Sequence, residues 1–330
     1  MKTEINPDIR AALDAIADRP VSHVFLVACG GSLSIMHAGK YFIDRHSDVL
    51  TSDIYNGDEF VARDPRKLGP DTLVILCSQT GTTKETVRAA AHARARGAAT
   101  IGMTLDAGSP LAKAVDHVVA YQASYTTGIP IDAADSNYGV LYMILAGLIG
   151  NREVTTKLLS SLGNLQPAID KAHVQYASRF AQFAERFRDK PVIYTVASGA
   201  NYGAAYSFAI CVFMEMLWIN SQAIHADEFF HGPFEVVDSE ASFVCMIGLD
   251  ETRRLEERAR DFLYRFGDKN QVLVVDAREL DLAGIDEAFR GYLVPLIFFD
   301  ALWKFAYRLA EQRGKVMLED RRYMKKISDY

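Results

Sequence analysis

The feature that most constrains this 330-residue chain is a repeated apolar run that ends in glycine or hydroxyl residues and leads into a helix. HVFLVAC (23–29) is a continuous apolar run after its histidine. Strands covered on both faces read this way, whereas half-exposed strands alternate. The run passes into Gly30, Gly31 and Ser32 and then a helical stretch to about residue 45. TLVILC (72–77) repeats the pattern and ends in Ser78, Gln79, Thr80, Gly81, Thr82 and Thr83, ahead of the helix KETVRAAAHARARG (84–97). Two more alternations follow, with strands over 99–104 and 117–121. Strands alternating with helices argue a parallel, doubly wound sheet.

Residues 136–188 carry no strand signal. SNYGVLYMILAGLIGN (136–151) reads as a buried helix and 152–188 as amphipathic helices. The opening pattern then returns in VIYTVASG (192–199), followed by a helix over 202–219, strands over 241–247 and 271–276, and a long helix over about 285–313. The expected fold is α/β: two doubly wound parallel-sheet domains, over 1–150 and 189–330, joined by a helical connector over 151–188.

Composition narrows the function. The 36 basic and 42 acidic residues leave a net charge of −6, without the basic stripe that nucleic acid requires. The longest apolar runs are too short for a membrane span, and the N-terminal residues show no apolar leader segment. Cys29, Cys77, Cys211 and Cys245 are scattered with no CxxC pair, as expected of reduced thiols in a cytoplasmic protein.

Three places carry chemistry. The loop 78–83 puts hydroxyl and amide side chains and one glycine at the C-terminal end of a strand and the start of a helix. Free N–H groups and the dipole at a helix start favour an anion, so the loop reads as a phosphate cradle. A plain capped turn has the same composition. No Walker or GxGxxG pattern is present, which argues against a nucleotide. Gly31 and Ser32, after the first strand, form a second loop of this kind; glycines there also serve tight packing.

The second place is Glu215 in FAICVFMEMLWI (208–219), a helix apolar nearly all round. Burial there disfavours the charged carboxylate, which suits a general acid or base; a glutamate at a helix edge that faces solvent or pairs with a neighbour is the bland alternative. Asp300 in LIFFDALWKF (296–305) is similar, with Lys304 four residues on as a ready partner. The third place is IHADEFFHGPFE (224–235), where His231 precedes a forced turn. His225, Glu228 and His231 do not have the HExxH spacing of a zinc site, so no metal is expected, and His225 reads as a strand-end histidine.

Together these segments resemble the sugar isomerase (SIS) family of phosphosugar-binding proteins. Ser78, Gln79, Thr80, Gly81 and Thr83 resemble its phosphate loop, and 28–32 its first sugar-binding loop. Glu215 with His231 resembles the isomerase half of glucosamine-6-phosphate synthase, with no glutaminase domain in front. Val212 stands where that synthase has a lysine. The resemblance is nearer to the fructosamine-6-phosphate deglycases, the 6-phosphofructose-aspartate type above all, in VIYTVASGANYGAAY, the 213–238 segment and the ending RRYMKKISDY.

The resemblance implies Gly31, Ser32, Ser78, Gln79, Thr80 and Thr83 as substrate-binding residues. It implies Glu215 and His231 as the acid/base pair, no cofactor, and a homodimer in which the histidine segment comes from the partner subunit. The implied substrate is a 6-phosphofructosyl amino acid. Two other functions are open at this point: another phosphosugar isomerase or deaminase, and a non-catalytic phosphosugar sensor. No residue cluster is assigned to the amino acid; Arg253, Arg254, Arg321, Arg322 and Lys326 are the cations available.

Overall fold

The structure, a computed structural model, describes residues 4–122, 132–324 and 326–327. Lys325 and residues 328–330 of the ending RRYMKKISDY lie outside the described residues. The chain divides into two compact units, 1–166 with 284–289 and 167–283 with 290–330. The helical stretch over 151–188 is shared: Arg152–Gly163 falls in the first unit and most of Leu165–Arg186 in the second.

In the first unit, β1 (His23–Ala28), β2 (Thr51–Asn56), β3 (Thr72–Cys77), β4 (Ala99–Thr104) and β5 (His117–Ala120) form a parallel sheet in the order β2-β1-β3-β4-β5. β1, β3 and β4 are buried at every position, which is the physical reason β1 after His23 and β3 after Thr72 read as continuous apolar runs, while the buried Thr100 of β4 bonds Asp116. β2 and the helix Gly57–Arg63 are absent from the expected order. TSDIYN lies at the sheet edge and is half polar, so no apolar run marks it. Phe25, Val27, Val74 and Leu76 from the sheet pack with Phe60, Ala89, Ala93 and Leu111 from the helices.

In the second unit, β6 (Tyr194–Ala197), β7 (Ala223–His225), β8 (Phe243–Ile247) and β9 (Val272–Asp276) form a parallel sheet in the order β7-β6-β8-β9. Its four strands repeat the topology of the first four strands of the first unit, with β6 in the place of β1 and β8 in that of β3. Val196, Ile224, Phe229, Phe243, Cys245 and Leu263 fill its core. The helix expected over 202–219 is α-helical only at Tyr202–Ser207 and continues as a π-helix over Phe208–Met216. The long C-terminal helix runs Glu287–Gln312. Among the described residues no helix is long and apolar enough to cross a membrane.

Ligands of doubly wound sheets bind beyond the strand C-termini where the strand order reverses. That place is β1 with β3 in the first unit and β6 with β8 in the second. In the second unit the chain's own carboxylates occupy it. Glu256, 1% exposed, accepts the Ser198 N–H at 2.9 Å, the Ser198 hydroxyl at 3.1 Å and the Gly248 N–H at 2.6 Å. Asp250 accepts the Ala200 N–H at 3.0 Å and, from Thr252, the N–H at 2.8 Å and the hydroxyl at 2.6 Å. Donors that would face an anion there are satisfied internally.

Burial pushes the Glu256 carboxyl from its ordinary 4.5 up to about 8, against the pull of its three donors. A carboxyl raised on folding favours the folded state most when protonated, and that contribution disappears as the pH climbs through its folded value. Glu256→Gln cannot titrate. The stability of wild type relative to this variant is therefore expected to fall as the pH rises from about 4.5 to about 8, measured by thermal unfolding. A relative stability of wild type that stays level or rises over that window contradicts the assignment.

Candidate active site

β1 and β3 pair so that Ala28 lies opposite Cys77, and the two loops after them leave the sheet at the same level. Ser78 is 2% exposed, and its hydroxyl meets that of Thr83 at 3.0 Å. Thr80 and Thr82 share an exposed hydroxyl pair at 2.7 Å. The loop backbone is held from below. Gln79 O accepts the Leu105 N–H at 3.0 Å and the Thr104 hydroxyl at 3.3 Å, and Gly81 O accepts the Leu111 N–H at 2.9 Å. Gly81 is required: its φ is +65°, and a Cβ there would stand 2.1 Å from Ser109 Oγ. Thr83 occupies the cap position of the helix Lys84–Ala95 without its side chain capping the first turn. This leaves a hydroxyl-lined helix start, the arrangement that suits a phosphate.

The second loop stands alongside. The helix Gly30–His46 begins directly after Cys29, with Gly30 at φ +56° and the Gly31 carbonyl accepting the Ser34 hydroxyl at 2.6 Å. Ser32 lies beside the Cys77 thiol, whose burial pushes it up to about 11, so it is no nucleophile. Gly57, unmarked in the sequence, closes a third side: a Cβ there would lie 2.6 Å from the Glu85 backbone.

Glu215 lies on the π-helix of the second unit. Val212, Phe213 and Met216 of that helix are buried. Of the two readings of Glu215, burial holds only in part and the paired alternative is the one observed. Its side chain is 19% exposed and takes the Arg321 Nη1 at 3.0 Å, while Arg321 Nε donates to Leu318 O at 2.9 Å. π-Turns widen a helix locally and occur often at functional sites. Here the π-turns end in Trp218, at φ +58°, with the Leu217 N–H bonded to Val212 O and the Ile219 N–H to Phe213 O. A cavity of about 470 Å³ opens there, lined by Glu215, Trp218, Asn220, Arg321, Arg322 and Tyr323 among others.

His225 ends β7, as expected, with its ring against Tyr202. His231 follows the short turn Glu228–Phe230, whose Phe229 and Phe230 pack edge-on against Phe262. Its N–H donates to Glu228 O at 2.9 Å, and the side chain is exposed. It is not among the residues lining the Glu215 cavity. Asp300 pairs with His173 at 2.5 Å and not with Lys304. Arg253 is spent on Asp276 and Glu257. Sequence reasoning had Arg321 only as one cation among several and had no signal for Trp218, because its backbone angle leaves no trace in composition.

The model of the SIS domain family matches residues 19–147. The chain is 46% identical over 327 residues to fructosamine deglycase FrlB of Bacillus subtilis, covering 98% of each chain. It is 29% identical over 324 residues to fructoselysine 6-phosphate deglycase of Escherichia coli, covering 98% of this chain and 92% of the other. A crystal structure of a Bacillus subtilis protein described as a phosphosugar isomerase superposes with a TM-score of 0.94 at 45% identity, over 98% of both chains. With this likeness running from end to end over a fold of parallel sheets, the chain belongs to the SIS family, in the subgroup that holds the fructosamine deglycases.

Proposed function

We propose that this protein is a deglycase that converts a 6-phosphofructosyl amino acid into glucose 6-phosphate and the free amino acid. The observation that carries the reading is the 46% identity, over 98% of both chains, to a fructosamine deglycase. The substrate carries nitrogen on C1 and a ketone at C2. Removing a C1 proton gives an enaminol, protonation at C2 gives the aldimine of glucose 6-phosphate, and water hydrolyses it. This route calls for one base, one acid and a phosphate anchor, and for neither metal nor redox cofactor.

Glu215 is the base and His231 the acid that serves ring opening or amine departure. Ser78, Gln79, Thr80 and Thr83 hold the phosphate, with Gly31 and Ser32 beside them. His231 comes from the second copy in a homodimer, a reading supported by its position outside the lining of the Glu215 cavity. Four free thiols suit the cytoplasm as its compartment. The test is to incubate the protein with a panel of 6-phosphofructosyl amino acids and assay glucose 6-phosphate. Release from at least one supports the reading, and release from none ends it.

Two predictions follow from the assigned roles. Ser78→Ala and Thr83→Val are expected to weaken glucose 6-phosphate binding by about 1–3 kcal/mol, the cost of a charge-assisted hydrogen bond left unmade. Titration calorimetry reads this, and wild-type affinity in both variants would remove the loop from the phosphate site. Glu215→Gln and His231→Ala are each expected to lower kcat by roughly 10²–10⁴, with the double variant losing far less than the product of the two. Near-wild-type turnover by Glu215→Gln would end the acid/base assignment.

A further inference from the structure

Two cations of the second unit share one aromatic ring and no carboxylate. Lys315 Nζ stands 3.3 Å from the centre of the Trp218 ring, and Arg322 Cζ stands 3.9 Å from it. Among the described residues neither side chain makes an ion pair. The contrast with Arg321 is direct, since that guanidinium is already committed to Glu215. Two like charges gathered on one indole repel each other, and an anion at the ring's edge relieves the repulsion.

The ring itself is held in place at a cost. Trp218 sits at φ +58°, in a region that bulky residues rarely enter, and such strain persists where a site needs the side chain there. Trp218 and Arg322 line the same cavity as Glu215. A guanidinium stacked on a ring uses its face and keeps its N–H edge, and that edge is the geometry that takes a carboxylate through two parallel hydrogen bonds.

We propose that Trp218, Lys315 and Arg322 form a subsite for the α-carboxylate of the amino acid carried on C1 of the substrate. The proposal rests on the deglycase reading and deepens it. Only three bonds separate C1 from the carboxylate carbon of an α-amino acid. A group that recognises this carboxylate therefore has to stand close to the base that takes the C1 proton, and Trp218 is three residues from Glu215 in a shared cavity.

The test compares 6-phosphofructosyl-glycine with 6-phosphofructosyl-glycinamide, which differ only in the charge of that group, on the full-length protein. Wild type is expected to prefer the glycine compound by about tenfold in kcat/KM, chiefly through KM, as for one charge-assisted contact. Arg322→Ala and Lys315→Met are each expected to shrink that preference, and Arg322→Lys to keep part of it. Equal kcat/KM for the two compounds in wild type overturns the subsite. So does a preference that survives in both Arg322→Ala and Lys315→Met. An Arg322→Ala variant that loses the same factor on both compounds overturns it too, because the cation then serves the phosphate. Failure of wild type to release glucose 6-phosphate from either compound, or from any of the panel, brings down the deglycase reading itself and the subsite with it.

Discussion

The parallel pairing of β1 with β3 is the constraint on which the rest of the first unit depends. Its register sets His23 opposite Thr72 and Ala28 opposite Cys77, so the two strands end level. Both strands are buried at every position, and their side chains leave no room for polar function inside the sheet. Polar groups are left to the C-terminal ends, where the backbone must turn into a helix and its donors need partners. Gly81 permits the tight loop there, and Thr104 and Ser109 support it from the neighbouring strand and helix start. The second unit has the same pairing between β6 and β8 but answers the same donors with Asp250 and Glu256. One topology thus yields one open cradle and one filled by its own chain.

Legibility in the sequence followed burial. β1, β3 and β8 are covered on both faces and stand out as apolar runs. β2 at the sheet edge mixes polar and apolar residues and does not. The loop 78–83 was readable because its residue types are unusual at a strand end. The partners of acidic residues were not. Glu215 meets Arg321 across 106 residues, and Asp300 meets His173 across 127, where the sequence offers only Lys304 four residues away. The π-turns were missed for a related reason: an apolar run is compatible with either helical period, and only hydrogen bonding decides.

The chemistry proposed for the chain needs very little apparatus. A ketosamine phosphate already carries an acidic C1–H beside its ketone and a basic nitrogen as leaving group. The protein has to anchor the phosphate, place a carboxylate at C1 and supply a proton to the departing side. Arg321 Nη1 bonds one oxygen of Glu215, Oε1, so under the proposed role orientation would fall to that atom and proton transfer to the other.

The most direct measurement of the central claim follows the C1 hydrogens. A 6-phosphofructosyl amino acid carrying deuterium at both C1 positions is turned over, and the sugar phosphate is analysed by mass spectrometry and NMR. The enaminol route predicts glucose 6-phosphate that retains one deuterium at C1 and has lost the other to solvent or to C2. Fructose 6-phosphate that retains both would mean direct displacement of the amine without proton abstraction, and it would contradict the account.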